Sequence, residues 1–156
     1  MRHLKDVVAK HPFFLGMDDE HLDILLEGAV EATFKPEQYL FHEGAPANQF
    51  FLIESGLIAL EAHEPADGTV ILQHLGPGEV LGWSWLFQPF SCHFRARATE
   101  PTKVIILNGG HLLAAAERDP EFGFRLMKRI AQLVIRRLMA TRAHLLKEHF
   151  QTVPKG

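Results

Sequence analysis

Short apolar runs separated by turn residues fill the middle of the chain, from residue 29 to residue 107. Several runs alternate apolar and polar side chains, as in VEATF and LIALEAH, and they recur at intervals of roughly a dozen residues. Gly56 and the pair Asp67-Gly68 lie between consecutive runs, where a turn needs residues that tolerate positive φ. This pattern predicts seven or eight antiparallel strands that form a roll, and not alternating strand–helix units.

Helical patterns lie on both sides of the predicted strands. Before them, the segment MDDEHLDILLEGA combines an aspartate N-cap with a cluster of leucines and a terminating glycine, which predicts a helix within residues 12–28. After them, Asn108 is the predicted cap of a short helix over residues 109–118. An aspartate followed by proline then predicts the start of a long helix over residues 119–150.

The order of these patterns predicts a single domain over residues 1–156, of the mainly-β class with flanking helices. Its centre is expected to be an eight-stranded antiparallel β-roll, also called a double-stranded β-helix or jelly roll, over residues 29–108. The composition agrees with this prediction. The chain has 156 residues, of which 47% are apolar and 22% are charged, and this is enough to bury one core.

The predicted long helix carries an apolar stripe at three- and four-residue intervals along its whole length. Two interpretations are open: the stripe packs on the chain's own core, or it pairs with the same helix of a second chain. Because a helix of about thirty residues is longer than a small roll can cover, its distal half favours the second interpretation. The sequence therefore predicts a homodimer with a seam that contains Ile130, Val134, Leu138 and Leu145.

The formal net charge of −3 gives no long-range attraction for nucleic acid, so nucleic acid is not expected as a partner. The single cysteine excludes an intrachain disulfide. The sequence also lacks an apolar run long enough to span a bilayer, so no membrane partner is expected, and the expected compartment is the cytoplasm.

Two glycine-containing segments are spaced as in a known family. The segment FHEGAPANQFFLIESGLIAL places Gly44 and Gly56 on either side of an apolar run, and LGPGEVLGWSWLF contains Gly78 and Gly82. With the order of helices and strands, these segments resemble the cyclic-nucleotide-binding domain of the Crp/Fnr regulators and of protein kinase A regulatory subunits, over about residues 12–150. The resemblance implies a regulatory module that binds a cyclic nucleotide and is not an enzyme.

In that family the segment matching residues 78–93 is a phosphate-binding cassette. A short helix presents backbone N–H groups to the cyclic phosphate, an arginine neutralises it, and a glutamate accepts a hydrogen bond from the ribose. Here Trp83 stands where the resemblance places the glutamate, and Cys92 stands where it places the arginine. Loss of a charge-assisted pair costs roughly 1.5–3 kcal/mol. The candidate pocket residues are Gly82, Trp83, Ser84, Trp85, Leu86, Cys92 and His93.

These departures predict that cyclic AMP and cyclic GMP are not bound in the usual way and that the chain carries no cofactor. Arg95 is near the cassette in sequence, but it alternates with Ala96 and Ala98. Because successive side chains of a strand point to opposite faces, Arg95 and Arg97 are predicted to face outward, away from the pocket.

Ten histidines raise the question of a metal site, but the sequence contains no His-x-His pair, and His42, His74 and His93 are expected at the surface. No metal is therefore predicted, and a haem bound through Cys92 or His93 is not favoured. The sequence also shows none of the common nucleophile motifs, so a non-enzymatic protein is predicted.

The leading expectation is a stand-alone regulatory module that acts through a protein partner or an unidentified ligand. Only QTVPKG follows Phe150, so no helix-turn-helix domain is expected after the long helix. The alternative is a cyclic-nucleotide-responsive transcription regulator of the Crp/Fnr type.

Overall fold

Two four-stranded antiparallel sheets form the centre of the computed structural model, which describes residues 4–66, 68–87 and 90–152. The first sheet has the strand order β1-β8-β3-β6, and the second has the order β2-β7-β4-β5. The strands are β1 (Val30–Phe34), β2 (Tyr39–Phe41), β3 (Gln49–Ser55), β4 (Ile58–Glu64), β5 (Gly68–Leu75), β6 (Val80–Leu81), β7 (Arg95–Ala98) and β8 (Thr102–Asn108).

Four helices flank the sheets: α1 (Leu4–Lys10), α2 (Asp19–Leu26), α3 (Gly109–Arg118) and α4 (Pro120–Thr152). The predicted fold class, an eight-stranded antiparallel roll with flanking helices, is confirmed. Strand β6 was not among the apolar runs because it is only two residues long. Gly68 has a φ of 76° at the turn between β4 and β5, while Asp67 lies outside the described residues.

Side-chain caps fix the start of the last two helices. The Asn108 side chain accepts a hydrogen bond from the His111 N–H at 3.0 Å, which starts α3. The Asp119 carboxylate accepts from the N–H groups of Glu121 and Phe122 at 3.1 and 3.2 Å, which starts α4. Asp18 precedes α2 in the same way, but its side chain makes no capping bond, and α2 is shorter than the predicted range 12–28.

The first sheet separates two apolar cores, because β3 alternates its side chains between them. Phe50 and Leu52 face a helical core, which lies between this sheet and the helices, whereas Phe51 and Ile53 face a roll core between the two sheets. The helical core includes Val8, Phe14, Leu25, Trp85, Leu107, Phe122 and Leu126, and the roll core includes Ile58, Leu60, Leu75, Leu81, Ala96 and Val104.

Helix α4 is buried along one face of its first half and is almost wholly exposed along its second half. Leu126, Ile130 and Leu133 pack in the helical core, and residues from 134 onward are almost all exposed. Ile130 is only 3% exposed, so its predicted place in a seam with a second chain is corrected: the protein's own core already covers it. Among the described residues, no helix is both long and apolar enough to cross a membrane.

Candidate functional site

The cassette segment follows β6 and turns sharply at Gly82. Gly82 has a φ of 85°, and a Cβ there would lie 2.7 Å from the Gln49 carbonyl oxygen, so the position requires glycine. Ser84–Leu86 then form one turn of 3₁₀ helix. The Leu86 N–H, which an anion would need, donates instead to the Trp83 carbonyl at 3.2 Å. The segment therefore presents a single turn with fewer free donors than the helix that the resemblance implied.

A small cavity lies next to this turn, at the mouth of the roll core. It is lined by five of the seven predicted pocket residues, and Phe41, Leu60, Leu81, Phe94 and Arg137 complete its wall. Its volume is about 20 Å³. That is room for about one water molecule, whereas pockets for small ligands measure roughly 300–1,000 Å³. The predicted residues in the wall are Gly82, Trp83, Ser84, Cys92 and His93.

Trp85 and Leu86 do not line the cavity, so their predicted place in the pocket is corrected. Trp85 is 2% exposed, and its ring meets that of Phe50 edge-on at 5.7 Å in the helical core. Leu86 is half-buried against the same core. The physical reason is apolar burial: both side chains pack on the helical side of the first sheet, whereas the smaller Ser84 of the same 3₁₀ turn lines the cavity.

Cys92 supplies no charge to the cavity. Its side chain is buried, and burial raises the pKa of the thiol, which keeps it neutral. Its backbone is held by Ala45, whose carbonyl accepts the Cys92 N–H at 2.8 Å. His93 is exposed beside it, with its ring 6.4 Å from that of Trp83.

Arg137 of α4 is the cationic group in the cavity wall that the sequence analysis missed. Its guanidinium Nη2 donates to the Val80 carbonyl oxygen, and its Nε makes no hydrogen bond within the described part of the chain. Burial lowers the pKa of Arg137 to about 10, so the side chain is still protonated at neutral pH. The spacing to Ile130 and Leu133, seven and four residues earlier, was the signal that places Arg137 on the buried face of α4.

Arg95 and Arg97 lie on the outer face of the second sheet, while Ala96 and Ala98 of the same strand are fully buried, as the alternation predicted. Both arginines bind the buried carboxylate of Glu61. Arg95 Nε is 3.1 Å from Oε1, and Arg97 Nη2 is 3.1 Å from Oε2. Arg95 is therefore engaged away from the cavity and does not replace the missing cassette arginine.

An open apolar groove of about 590 Å³ runs between β5 and the distal half of α4. Trp83 and Arg137 form its inner end, so the groove adjoins the small cavity. Val134, Leu138 and Leu145, three of the predicted seam residues, line it from α4. Its opposite wall includes Val70, Ile71 and Leu72 of β5, each more than 40% exposed.

Comparison with known proteins gives a match over residues 31–119 to the family model described as the cyclic nucleotide-binding domain. The chain is 22% identical over 151 residues to the CRP-like cAMP-activated global transcriptional regulator of Mycobacterium tuberculosis. That match covers 97% of this chain but only 66% of the regulator. A second match, to the acetyltransferase Pat of Mycolicibacterium smegmatis, is 36% identical over 70 residues, 45% of this chain and 21% of that protein.

Among solved structures, a putative cyclic nucleotide-binding protein from Geobacter metallireducens GS-15 is similar, with a TM-score of 0.78 and 28% identity. The match covers 88% of this chain and 99% of that one. Because a relative matched over nearly the whole chain is named a transcriptional regulator, the expectation that nucleic acid has no part is not borne out. The family model, the relatives and the eight-stranded roll agree, and the chain belongs to the cyclic nucleotide-binding domain family, as a domain of the Crp/Fnr type.

Proposed function

We propose that the protein is a non-enzymatic regulatory module whose cyclic-nucleotide pocket is closed, so that it acts through a protein partner or an unidentified ligand. One observation carries the proposal: the cavity beside Gly82 measures about 20 Å³ and is bordered by Trp83 and a neutral Cys92. A nucleotide would have to displace the Trp83 indole and break the bond between Arg137 and the Val80 carbonyl. It would gain neither of the two charged contacts that the family provides.

Calorimetry with cyclic AMP and cyclic GMP tests this closure directly. We expect no binding tighter than about 1 mM, because Arg137 is held by the Val80 carbonyl and a few backbone donors are then the remaining partners for the phosphate. The fluorescence of Trp83, which borders the cavity, should stay unchanged during either titration. Micromolar binding by the unmodified protein would overturn the proposal.

A restored cassette provides the converse test. Trp83→Glu with Cys92→Arg returns both charged side chains to the cavity wall and removes the indole from it. We expect the affinity for cyclic AMP to rise by at least about tenfold, since each charge-assisted hydrogen bond is worth roughly 1.5–3 kcal/mol. The matched control, Trp83→Gln with Cys92→Ser, opens similar space without charge. An equal gain in the control would show that volume, and not charge, limits binding.

We propose that the protein forms a homodimer through the distal half of α4. Leu138 is 60% exposed on a helix whose apolar residues continue past the protein's own core, and the adjoining groove is lined by apolar side chains. Sedimentation should give about twice the 17.6 kDa monomer mass at micromolar concentration. Leu138→Glu should yield a monomer, because it would bury an unpaired charge, whereas Gln132→Glu, at an exposed position of the same helix, should not. A wild-type monomer would refute the seam.

The alternative function is that of a cyclic-nucleotide-responsive transcription regulator. The match to a named transcriptional regulator over 97% of the chain is the observation that favours it. A gel shift with random duplex DNA at low salt, where non-specific binding is strongest, separates the two functions. A tight shift that weakens steeply with salt would support the regulator, and the absence of a shift would support the module.

A further inference from the structure

Three side chains that could bind a metal ion meet where α2 approaches the start of α4. They are Asp18, directly before α2, His21 on its first turn, and Glu121 on the first turn of α4. One ligand atom from each lies within 4.8 Å of the other two. Asp119 is a fourth neighbour, with its Oδ2 at 3.9 Å from His21 Nε2. None of these residues lines the cavity or the groove described above.

His21 is the residue in this cluster that the fold leaves unsatisfied. It is 5% exposed, and its Nδ1 makes no hydrogen bond within residues 4–66, 68–87 and 90–152. The contact from Nε2 to Asp119 is longer than a hydrogen bond. The imidazole edge otherwise meets the ring of Phe122, at 5.5 Å. A buried polar atom without a partner is costly, so a ligand that satisfies the ring would stabilise the fold.

The carboxylates of Asp18 and Glu121 are free to approach the imidazole. Asp18 holds the N-cap position of α2, yet its side chain caps nothing and is exposed. Glu121 is also exposed, and its Oε1 accepts a hydrogen bond from Arg125 at 3.2 Å, a surface contact that is easily exchanged. Ligand atoms around Zn²⁺ lie about 2.0–2.2 Å from the metal, or roughly 3.4 Å apart, so small rotations of these two side chains suffice.

We propose that Asp18, His21 and Glu121 bind a divalent transition-metal ion such as Zn²⁺. An imidazole nitrogen with two carboxylate oxygens suits such an ion, whereas magnesium and calcium prefer oxygen ligands alone. Three protein ligands leave a position for water, and a shift of under about 1 Å would bring Asp119 Oδ2, now 3.9 Å from His21 Nε2, into hydrogen-bond distance of the imidazole. The proposal departs from the expectation of no metal, because its ligands are distant in sequence and form none of the short metal-binding motifs.

Such an ion would tie α2 to the first turn of α4, the helix that also carries Arg137 and the residues of the groove. Metal binding would therefore stabilise the packing of the helices, independently of whether the nucleotide pocket is open or closed.

The test uses the untagged 156-residue chain, stripped with a chelator and then titrated with zinc chloride. We expect saturable binding of one Zn²⁺ per chain by calorimetry and a rise in the thermal unfolding midpoint. Asp18→Asn and Glu121→Gln should each weaken zinc binding by at least about tenfold. Both side chains are exposed, so these variants should fold normally without zinc, which the chelated samples check, and they carry the test even if His21→Gln fails to fold.

The control is His144→Gln. His144 is an exposed histidine next to a glutamate, with its Nε2 3.1 Å from Glu148 Oε1, on the distal half of α4. This variant should bind zinc as the wild type does. The proposal is overturned if no saturable binding occurs at roughly 100 µM zinc. It is equally overturned if His144→Gln abolishes the binding while Glu121→Gln leaves it intact.

Discussion

Trp83 and Trp85 belong to the same short segment, yet the fold uses them differently. Trp85 is buried in the helical core against Phe50, whereas Trp83 packs against the same core only half-buried and also borders both the cavity and the groove. One residue anchors the cassette to the rest of the protein, and the other, in the function that we propose, closes the pocket. The difference teaches that an aromatic residue in a binding motif is assigned to the site or to the core by the geometry of one turn.

Truncation of each tryptophan gives the largest expected contrast. Trp85→Ala removes a fully buried ring and should lower the free energy of unfolding by about 3–5 kcal/mol. Trp83→Ala should lower it by less than about 1.5 kcal/mol, because the side chain is only partly covered. Urea unfolding of both variants at one protein concentration measures the contrast. Equal losses would mean that the two residues share one structural role.

The two adjacent glycines at the start of α3 test whether the close contact with Trp85 stabilises the protein. A Cβ at Gly109 would lie 2.5 Å from Trp85 Cγ, so Gly109→Ala should cost about 1–3 kcal/mol through the clash. At Gly110 a Cβ would meet only the Asn108 Oδ1, at 3.5 Å, an ordinary contact. Gly110→Ala should therefore be neutral or slightly stabilising. If the two variants unfold at the same urea concentration, the close approach to Trp85 carries no energetic weight.

The two tryptophans also separate features that the sequence predicts from features that it does not. Local signals predicted the fold class, the Asn108 cap and the outward direction of Arg95, because each depends on neighbours within a few residues. The direction of Trp85 and the insertion of Arg137 depend on packing between segments far apart in sequence, since Trp85 packs on Phe50 and Arg137 binds the Val80 carbonyl. The position of the cassette could thus be predicted from its glycines, but the side chains that line or leave the cavity could not.

Replacement of Arg137 tests whether this residue of the cavity wall contributes to stability. The guanidinium is largely buried and hydrogen-bonds the Val80 carbonyl, so much of its desolvation is uncompensated. Arg137→Met keeps an apolar stem of similar length and should leave the free energy of unfolding unchanged or raise it by up to about 1–2 kcal/mol. Arg136→Met, at the exposed neighbouring position, is the control and should change it by less than about 0.5 kcal/mol. A loss above about 2 kcal/mol for Arg137→Met alone would make Arg137 a structural residue.

The smallest expected effect is a pH dependence of the free energy of unfolding. It comes from His11, which contacts Phe13 in the helical core that also contains Trp85. His11 is 5% exposed, its Nε2 lies 3.2 Å from the Ile53 carbonyl oxygen, and its Nδ1 accepts the Phe13 N–H at 3.3 Å. Burial lowers the pKa of His11, and the bond to the Ile53 carbonyl only partly opposes this. Protonation would place a hydrogen on Nδ1, which would then point directly at the Phe13 N–H and end its role as acceptor.

Because the pKa of His11 is lower in the folded protein, the unfolded chain binds more protons as the pH falls below about 6.5. The stability contributed by His11 is complete above that pH and is lost as the pH falls through the folded-state pKa. The slope cannot exceed about 1.4 kcal/mol per pH unit for one proton.

Unfolding measured between pH 7 and 5 should show this slope in the wild type and not in His11→Gln. The control is His74→Gln, which changes an exposed histidine on β5 and should retain the slope. Followed in Trp83→Phe, where Trp85 is the remaining indole, the acid transition should change the fluorescence, because Trp85 shares the helical core with Phe13. An acid slope that survives in His11→Gln would assign it to another group.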